Sequence, residues 1–468
     1  MKSILIGNGV NIQFGGKAYT SEYILQRIRY KAKQDKYREL FEDSISGKEI
    51  VNFLDSFVDV CNDILSNKYD RFVFSDDDLS ALQEFKERYK DWNITESKDI
   101  MLEDWFFLIH MFFLKNPDLI ENKKGAIQSF ERLVLDAIYN SGLIQEVYKR
   151  SNKKYKRFLQ SFDKIFTLNY DNNIEMLTGK EVFHLHGDFS ILADSENPST
   201  VNGFIRTRDN KTVIIPQYNH CFCNALLNYS GKLKYKKAQD NHKANIESQK
   251  YSDNFKSNPQ YYDDIAESFP EAYELIITKI KHPELQMATE YHFEELSNID
   301  SEIHILGLSP NNDTHIIDLI NNNNKVKTVI FYYFTPQEEK QAKKIFNTKK
   351  VKCIQVNELW KQLDCKQKKY NCNHNIDYSK MNILEICKLF SEYPSATTEI
   401  IDKEINTIPK FEMLRLTKLV KEAMLSQSRP DSEEELKQLL AEISFIALRE
   451  GISPPVLYLI TILNFSAV

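Results

Sequence analysis

Within about twenty residues, Thr167-Leu168-Asn169-Tyr170-Asp171 and His184-Leu185-His186-Gly187 gather an amide, a carboxylate and two imidazoles. These groups can orient a polar substrate, stabilise developing charge and move a proton near neutral pH. Each cluster ends an apolar run, Lys164–Tyr170 and Glu181–His186, that reads as a buried strand. Two further runs end in small polar turns, Gly7-Asn8-Gly9-Val10-Asn11 after "SILI" and Gly307-Leu308-Ser309 after "EIHIL". In an open parallel sheet the ligand crevice lies outside the carboxyl ends of the strands, so four strand ends are expected at one edge.

The elements that must position them follow an interrupted α/β rhythm. From about residue 21 to 160 apolar residues recur at three- and four-residue spacing, as in Ile50–Leu65 and Ser129–Tyr148, which predicts a large helical insertion after the first strand. The apolar stretch Glu103–Lys115 reads as a buried helix, too short to span a membrane. Strands are predicted at Lys164–Tyr170, Glu181–His186, Lys211–Pro216, Glu302–Ser309, Lys327–Phe334 and Lys350–Val356, with helices at Asp313–Ile320 and Gln337–Phe346. Residues 231–262 are polar and lysine-rich and read as an exposed insertion. A polar connector from Cys365 leads to a helical C-terminal region, 366–468, with amphipathic segments Lys410–Leu425 and Ser432–Glu450 suited to assembly or partner contact. The expected fold class is α/β, a Rossmann-like parallel sheet with a large helical insertion and helical C-terminal region, in two domains, 1–365 and 366–468.

Composition narrows the classes. The chain has 468 residues, 42% hydrophobic and 27% charged, ordinary for a globular protein with two or three cores. A formal net charge of −6 makes wholesale nucleic-acid binding unexpected. Seven cysteines, an odd and scattered set, fit reduced thiols. The first apolar stretch lacks the long core of a signal peptide, and the reading is a cytoplasmic protein without membrane contact.

Several residues carry two readings. Gly7–Asn11 is a phosphate-binding turn or a plain strand-ending turn. Asp171 or Asn172 caps a helix or joins a site, and His186 is an ordinary hydrogen-bonded residue or a catalytic one. His184, two residues before His186, is a second site residue or packs beneath it. Asp313 reads first as a helix cap, with contact to a bound ligand as the alternative. The tract Lys232–Lys237 reads as a solvated loop, or as a contact for nucleic acid or an acidic partner. Cys365, Cys372 and His374 have loose metal-like spacing without an evident fourth ligand, and read as a polar connector.

In order and placement, "GNGVN", "TLNYD", "HLHG" and "GLS" resemble the motifs of sirtuin-like domains, over roughly residues 1–20 and 160–360. The chain looks like the divergent bacterial sirtuin-like domains of antiphage defence proteins, and "LIGNGVNIQFGG" also resembles the abortive-infection family AbiH. The resemblance implies binding of NAD+ as substrate and cleavage of its nicotinamide–ribose bond, with no metal. It implies that Asn169 orients the ribose or the attacking water, that His186 is the general base or ribose-hydroxyl partner, and that Asp171 buttresses the site. Gly7, Asn8, Gly9 and Asn11 would receive the pyrophosphate and adjoining ribose, and Gly307 and Ser309 would line the adenosine side. It further implies a silent state relieved by a co-encoded partner, oligomerisation or a nucleotide signal. Only Cys221-Phe222-Cys223 stands where sirtuin deacetylases carry a four-cysteine zinc module, so NAD+ hydrolysis is expected rather than deacylation. The alternative is a non-catalytic nucleotide sensor.

Overall fold

The computed structural model describes residues 2–42, 45–190, 200–201, 204–205, 215, 217–283, 286, 288–310, 313–365, 415–416, 418, 433–451 and 457. Among them the chain is α/β. The strands are β1 (Lys2–Ile6), β2 (Lys164–Thr167), β3 (Phe183–His184), β4 (Thr200–Val201), β5 (Phe204–Ile205), β6 (Ser301–Leu306), β7 (Val326–Tyr333) and β8 (Lys350–Gln355). Six of them form one all-parallel sheet in the order β3-β2-β1-β6-β7-β8, and β4 and β5 pair as a separate antiparallel hairpin.

The central strands are continuous apolar runs because both faces of the sheet are covered. Register aligns Leu5 with Phe166 on one side and Ile305 on the other, and Ile305 with Phe331. Residues paired in register share a face. The row Phe166, Leu5, Ile305, Phe331 therefore forms one band of the core, packed against Ile316, Ile317 and Ile320 of the helix Thr314–Asn322.

The predicted insertion is helical. Gly47–Leu65 starts at a capping box in which Ser46 accepts from the Glu49 amide and Glu49 accepts in return from Ser46. Leu102–Lys115 is buried nearly all round, as its largely apolar sequence, broken by His110, requires. The helix expected over Ser129–Tyr148 instead ends at Tyr139, where Asn140, Ser141 and Gly142 take positive φ and the chain continues in 3₁₀ turns. Pro336–Ile345, whose Ala342 joins the same core cluster, begins with a Thr335/Glu338 capping box. The strand expected at Glu181–His186 is only two residues long, and 211–216 lies outside the described residues.

One expectation is corrected: the tract Lys232–Lys237 is not a loop but part of Gly231–Ser257, a 27-residue helix, much of it exposed, on which Lys234, Ala238 and Ser252 are buried. Apolar residues on it are too sparse in sequence to announce a buried face, although Ala238 joins the core, Tyr235 packs on Phe293 and Phe255 on Tyr262.

The chain divides into two compact units, Met1–Val10 with Ala32–Lys366, and Asn11–Lys31 with Gln367–Val468. The first holds the sheet. In the second, Arg27 donates to the carbonyls of Ala18 (2.7 Å) and Leu448 (3.2 Å), and Tyr30 stacks on Phe445 with ring centres 4.3 Å apart. The C-terminal helix Glu433–Glu450 matches the predicted segment, whereas most of 410–425 lies outside the described residues. No helix among the described residues is long and apolar enough to cross a membrane.

Candidate active site at the carboxyl edge of the sheet

The strand order reverses direction between β1 and β6, and the turns leaving these two strands meet there. Gly7 donates its amide to Leu306 O and Gly9 donates to Gly307 O, both at 2.9 Å. A Cβ on Gly7 would stand 2.5 Å from Gly307 O, and one on Gly9 2.7 Å from Gly307 Cα. Glycine is required here because two backbones touch. The same contact spends the Gly7 and Gly9 amides within the protein, leaving Asn8 as the exposed residue of the turn. Gly307 (φ +75°) and the partly buried Ser309 continue the edge, while Asn11 is buried and belongs to the second unit.

β2 delivers Asn169 to the same edge. Thr167 Oγ1 donates to Ile6 O (3.2 Å) and accepts the Asn169 amide (3.1 Å), and the Asn169 side chain donates to Gly7 O at 3.4 Å. The carboxylate of Asp171 accepts from the amide (3.1 Å) and side chain (2.6 Å) of Asn173, closing the first turn of the helix Asn173–Thr178. His184 is a support: its ring bonds to Asn169 O (3.0 Å) and to Glu175 (2.5 Å). Burial opposes its charge, but the hydrogen bond and charge of Glu175 outweigh that and raise its pKa.

His186 lies in a buried polar cluster. Lys234 Nζ is 3.4 Å from its Nδ1, and its Nε2 faces His315 Nε2 at 3.4 Å and Asp313 Oδ1 at 3.6 Å. Lys234 also approaches Glu103 (3.6 Å) from the helical insertion. Burial first, then the Lys234 charge, holds both imidazoles well below the ordinary histidine pKa, so both are neutral. Burial raises the Asp313 carboxyl to about 7, with Lys234 and Arg88 pulling down and Glu103 and Asp104 pushing up. Tyr170, next to Asn169, feels the charges of Glu103 and Asp313, which ties this cluster to the strand edge.

The cluster is braced by the helix Asp76–Tyr89. Its Arg88 binds both oxygens of Asp104 (2.5 and 2.7 Å) and reaches Glu84 (3.2 Å). Glu84 accepts from the Thr314 hydroxyl and from the Lys232 amide, joining the helices that carry His315 and Lys234.

One ligand atom from each of His186, Asp313 and His315 falls within 4.8 Å of the others, close enough to suggest a divalent metal. The surroundings do not fit one. A ligating imidazole donates its second N–H to an acceptor, but His186 Nδ1 faces an ammonium and His315 Nδ1 has no hydrogen-bond partner among the described residues. Among the described residues Cys221 and Cys223 are in no disulfide, the Cys221 thiol donating to Arg132 O, and Cys372 and His374 lie outside the described residues.

The structure thus brings Gly7, Gly9, Gly307 and Asn169 together and sets His186 in a cluster with residues the sequence reading left aside. Asp313 occupies the N-cap position without a side-chain cap hydrogen bond, so the cap reading is corrected. Lys234, Glu103 and His315 were missed. The short spacing of Asp313 and His315 was a usable signal; Lys234, one of many lysines in its tract, had none. Comparison with family models, curated proteins and solved structures yields no match.

Proposed function

We propose that the protein is an NAD+ glycohydrolase, cleaving NAD+ to nicotinamide and ADP-ribose. The observation that carries this reading is the strand order, a six-stranded parallel sheet whose direction reverses between β1 and β6, with Gly7–Gly9, Asn169 and Gly307 at that point. Such reversal points are where doubly wound sheets take dinucleotides. In the reaction a water oxygen bonds to ribose C1′ as the C1′–N bond breaks. The bond pair returns to the nicotinamide ring nitrogen, and the water proton passes to a base. Asn169 orients the ribose and water, Asn8 meets the pyrophosphate, and Gly307 and Ser309 line the adenosine half. His186 and its neighbours handle the proton.

The place of this activity in antiphage defence, silent until a partner subunit, oligomerisation or a nucleotide signal releases it, rests on the motif resemblance alone. A non-catalytic nucleotide sensor is the second reading, favoured by the engagement of both His186 ring nitrogens within the protein. NAD+ consumption with products identified by chromatography, measured on purified protein and on cells expressing it with and without its genomic neighbours, separates the two. Nicotinamide and ADP-ribose from the wild type, lost in Asn169→Ala, support hydrolysis. Intact NAD+ alongside measurable nucleotide binding supports the sensor.

A further inference from the structure

An ammonium offers donors only, so Lys234 Nζ, 3.4 Å from His186 Nδ1, requires Nδ1 to present its lone pair. The neutral ring then carries its single proton on Nε2, directed toward Asp313 Oδ1 (3.6 Å) and His315 Nε2 (3.4 Å). With the lone pair facing Lys234, His186 has none to offer a substrate. Its side chain is 2% exposed, against 13% for Asp313, which makes the carboxylate the member of the pair open to a bound molecule.

The Asp313 backbone gives an independent indication. It takes left-handed φ (53°) just before the helix Thr314–Asn322, yet its side chain makes no cap hydrogen bond. An aspartate at the N-cap with extended backbone ordinarily accepts an amide of the first turn; the left-handed backbone of Asp313 goes with the loss of that bond. Here the carboxylate is turned into the cluster instead.

We propose that Asp313 is the proton-accepting catalytic residue of the site, and that His186, held as the Nε2–H tautomer by Lys234, is its positioning residue. This rests on the NAD+ hydrolysis reading. As the water oxygen bonds to C1′ and the nicotinamide leaves with its bond pair, one water proton passes to an Asp313 oxygen, and the neutral carboxyl later returns it to solvent. The groups facing Asp313 set its proton affinity: burial, Glu103 and Asp104 raise it, Lys234 and Arg88 lower it, and the balance near 7 suits a base working at neutral pH. His315 and Tyr170, also in the cluster, are neutral at that pH.

Nitrogen-15 histidine NMR of the full chain at pH 7.5 tests the polarity without any turnover, with His186 assigned by its disappearance in His186→Gln. A neutral Nε2–H ring is expected; an Nδ1–H ring or an imidazolium overturns the arrangement. In NAD+ hydrolysis, Asp313→Asn is expected to lower kcat by about 10²–10⁴-fold while KM stays within about threefold, with partial recovery in Asp313→Glu. Lys234→Met is expected to move the acidic limb of the kcat–pH profile upward, because it removes a cation that favours the carboxylate. A lysine with a purely structural role would lower activity without moving that limb. Asp313→Asn retaining more than half of kcat overturns the proposal. Absence of hydrolysis by the wild type both alone and co-expressed with its genomic neighbours overturns the functional reading and Asp313's catalytic role with it, while the spectrum still decides the tautomer.

Discussion

Asp104 ties together the two insertion helices that flank the candidate site, and its removal should be costly for a reason that can be counted. Its side chain is 2% exposed and that of Arg88 6%, and the two meet through both Asp104 oxygens at 2.5 and 2.7 Å. Tyr89 also donates its hydroxyl to Asp104, at 2.7 Å. Asp104→Ala strands a buried guanidinium with Glu84 as its remaining ion-pair partner. Breaking a buried pair in this way costs about 3–5 kcal/mol, and retention of Glu84 places the loss near about 3. The orphaned Tyr89 hydroxyl adds about 1 kcal/mol, for a total of about 4. Because Glu84 also bonds Thr314 and the Lys232 amide, the helices carrying His315 and Lys234 should loosen together. Urea unfolding followed by the emission of the buried Trp105, in a background with the other two tryptophans, Trp92 and Trp360, changed to Phe, reads the effect beside the pair. The control is Arg88→Met with Asp104→Leu. Removing both charges at once should recover all but about 1 kcal/mol, since a buried ion pair replaced by apolar groups is often neutral. A single-variant loss below about 1 kcal/mol, or a double variant as unstable as the single, refutes the reasoning.

Two further outcomes are expected. Gly7→Ala should cost about 1–3 kcal/mol by thermal or urea unfolding, because its Cβ meets a backbone carbonyl 2.5 Å away that has no rotamer in which to retreat; an unchanged midpoint would show that the two turns are not in contact. Glu131 has its pKa raised by burial from 4.5 to about 7, so between those values the fold binds a proton that the unfolded chain releases, and this contribution to stability is lost as pH rises. Glu131→Gln should therefore be more stable than the wild type at pH 8, with the gain vanishing by about pH 4, and an equal gain at both pH values in thermal melts would contradict it.

Much of the sheet was legible in the sequence. Runs such as "SILI", "KIFT" and "VIFYY" are apolar without alternation because both their faces are covered, and that pattern survives without knowledge of the partner strands. The Ser46/Glu49 and Thr335/Glu338 capping boxes are local, and local chemistry can be read from neighbouring letters. The expectation that Gly7, Asn169 and Gly307 share an edge followed from a general property of parallel sheets rather than from any contact.

The proton chemistry was decided by the tertiary structure. Nothing separates Lys234 from Lys232 or Lys236 in the sequence, yet Lys234 is fully buried against His186, while Lys236 makes an exposed ion pair with Asp77. Arg88 comes from a helix whose charged residues resemble any solvated face, and Glu103 from the start of a buried apolar helix, until the helix Gly231–Ser257 packs near them. Proton affinity, tautomer and the choice between cap and base at Asp313 depend on which charges lie within a few ångströms. Side chains far apart along the chain acquire those distances only when it folds.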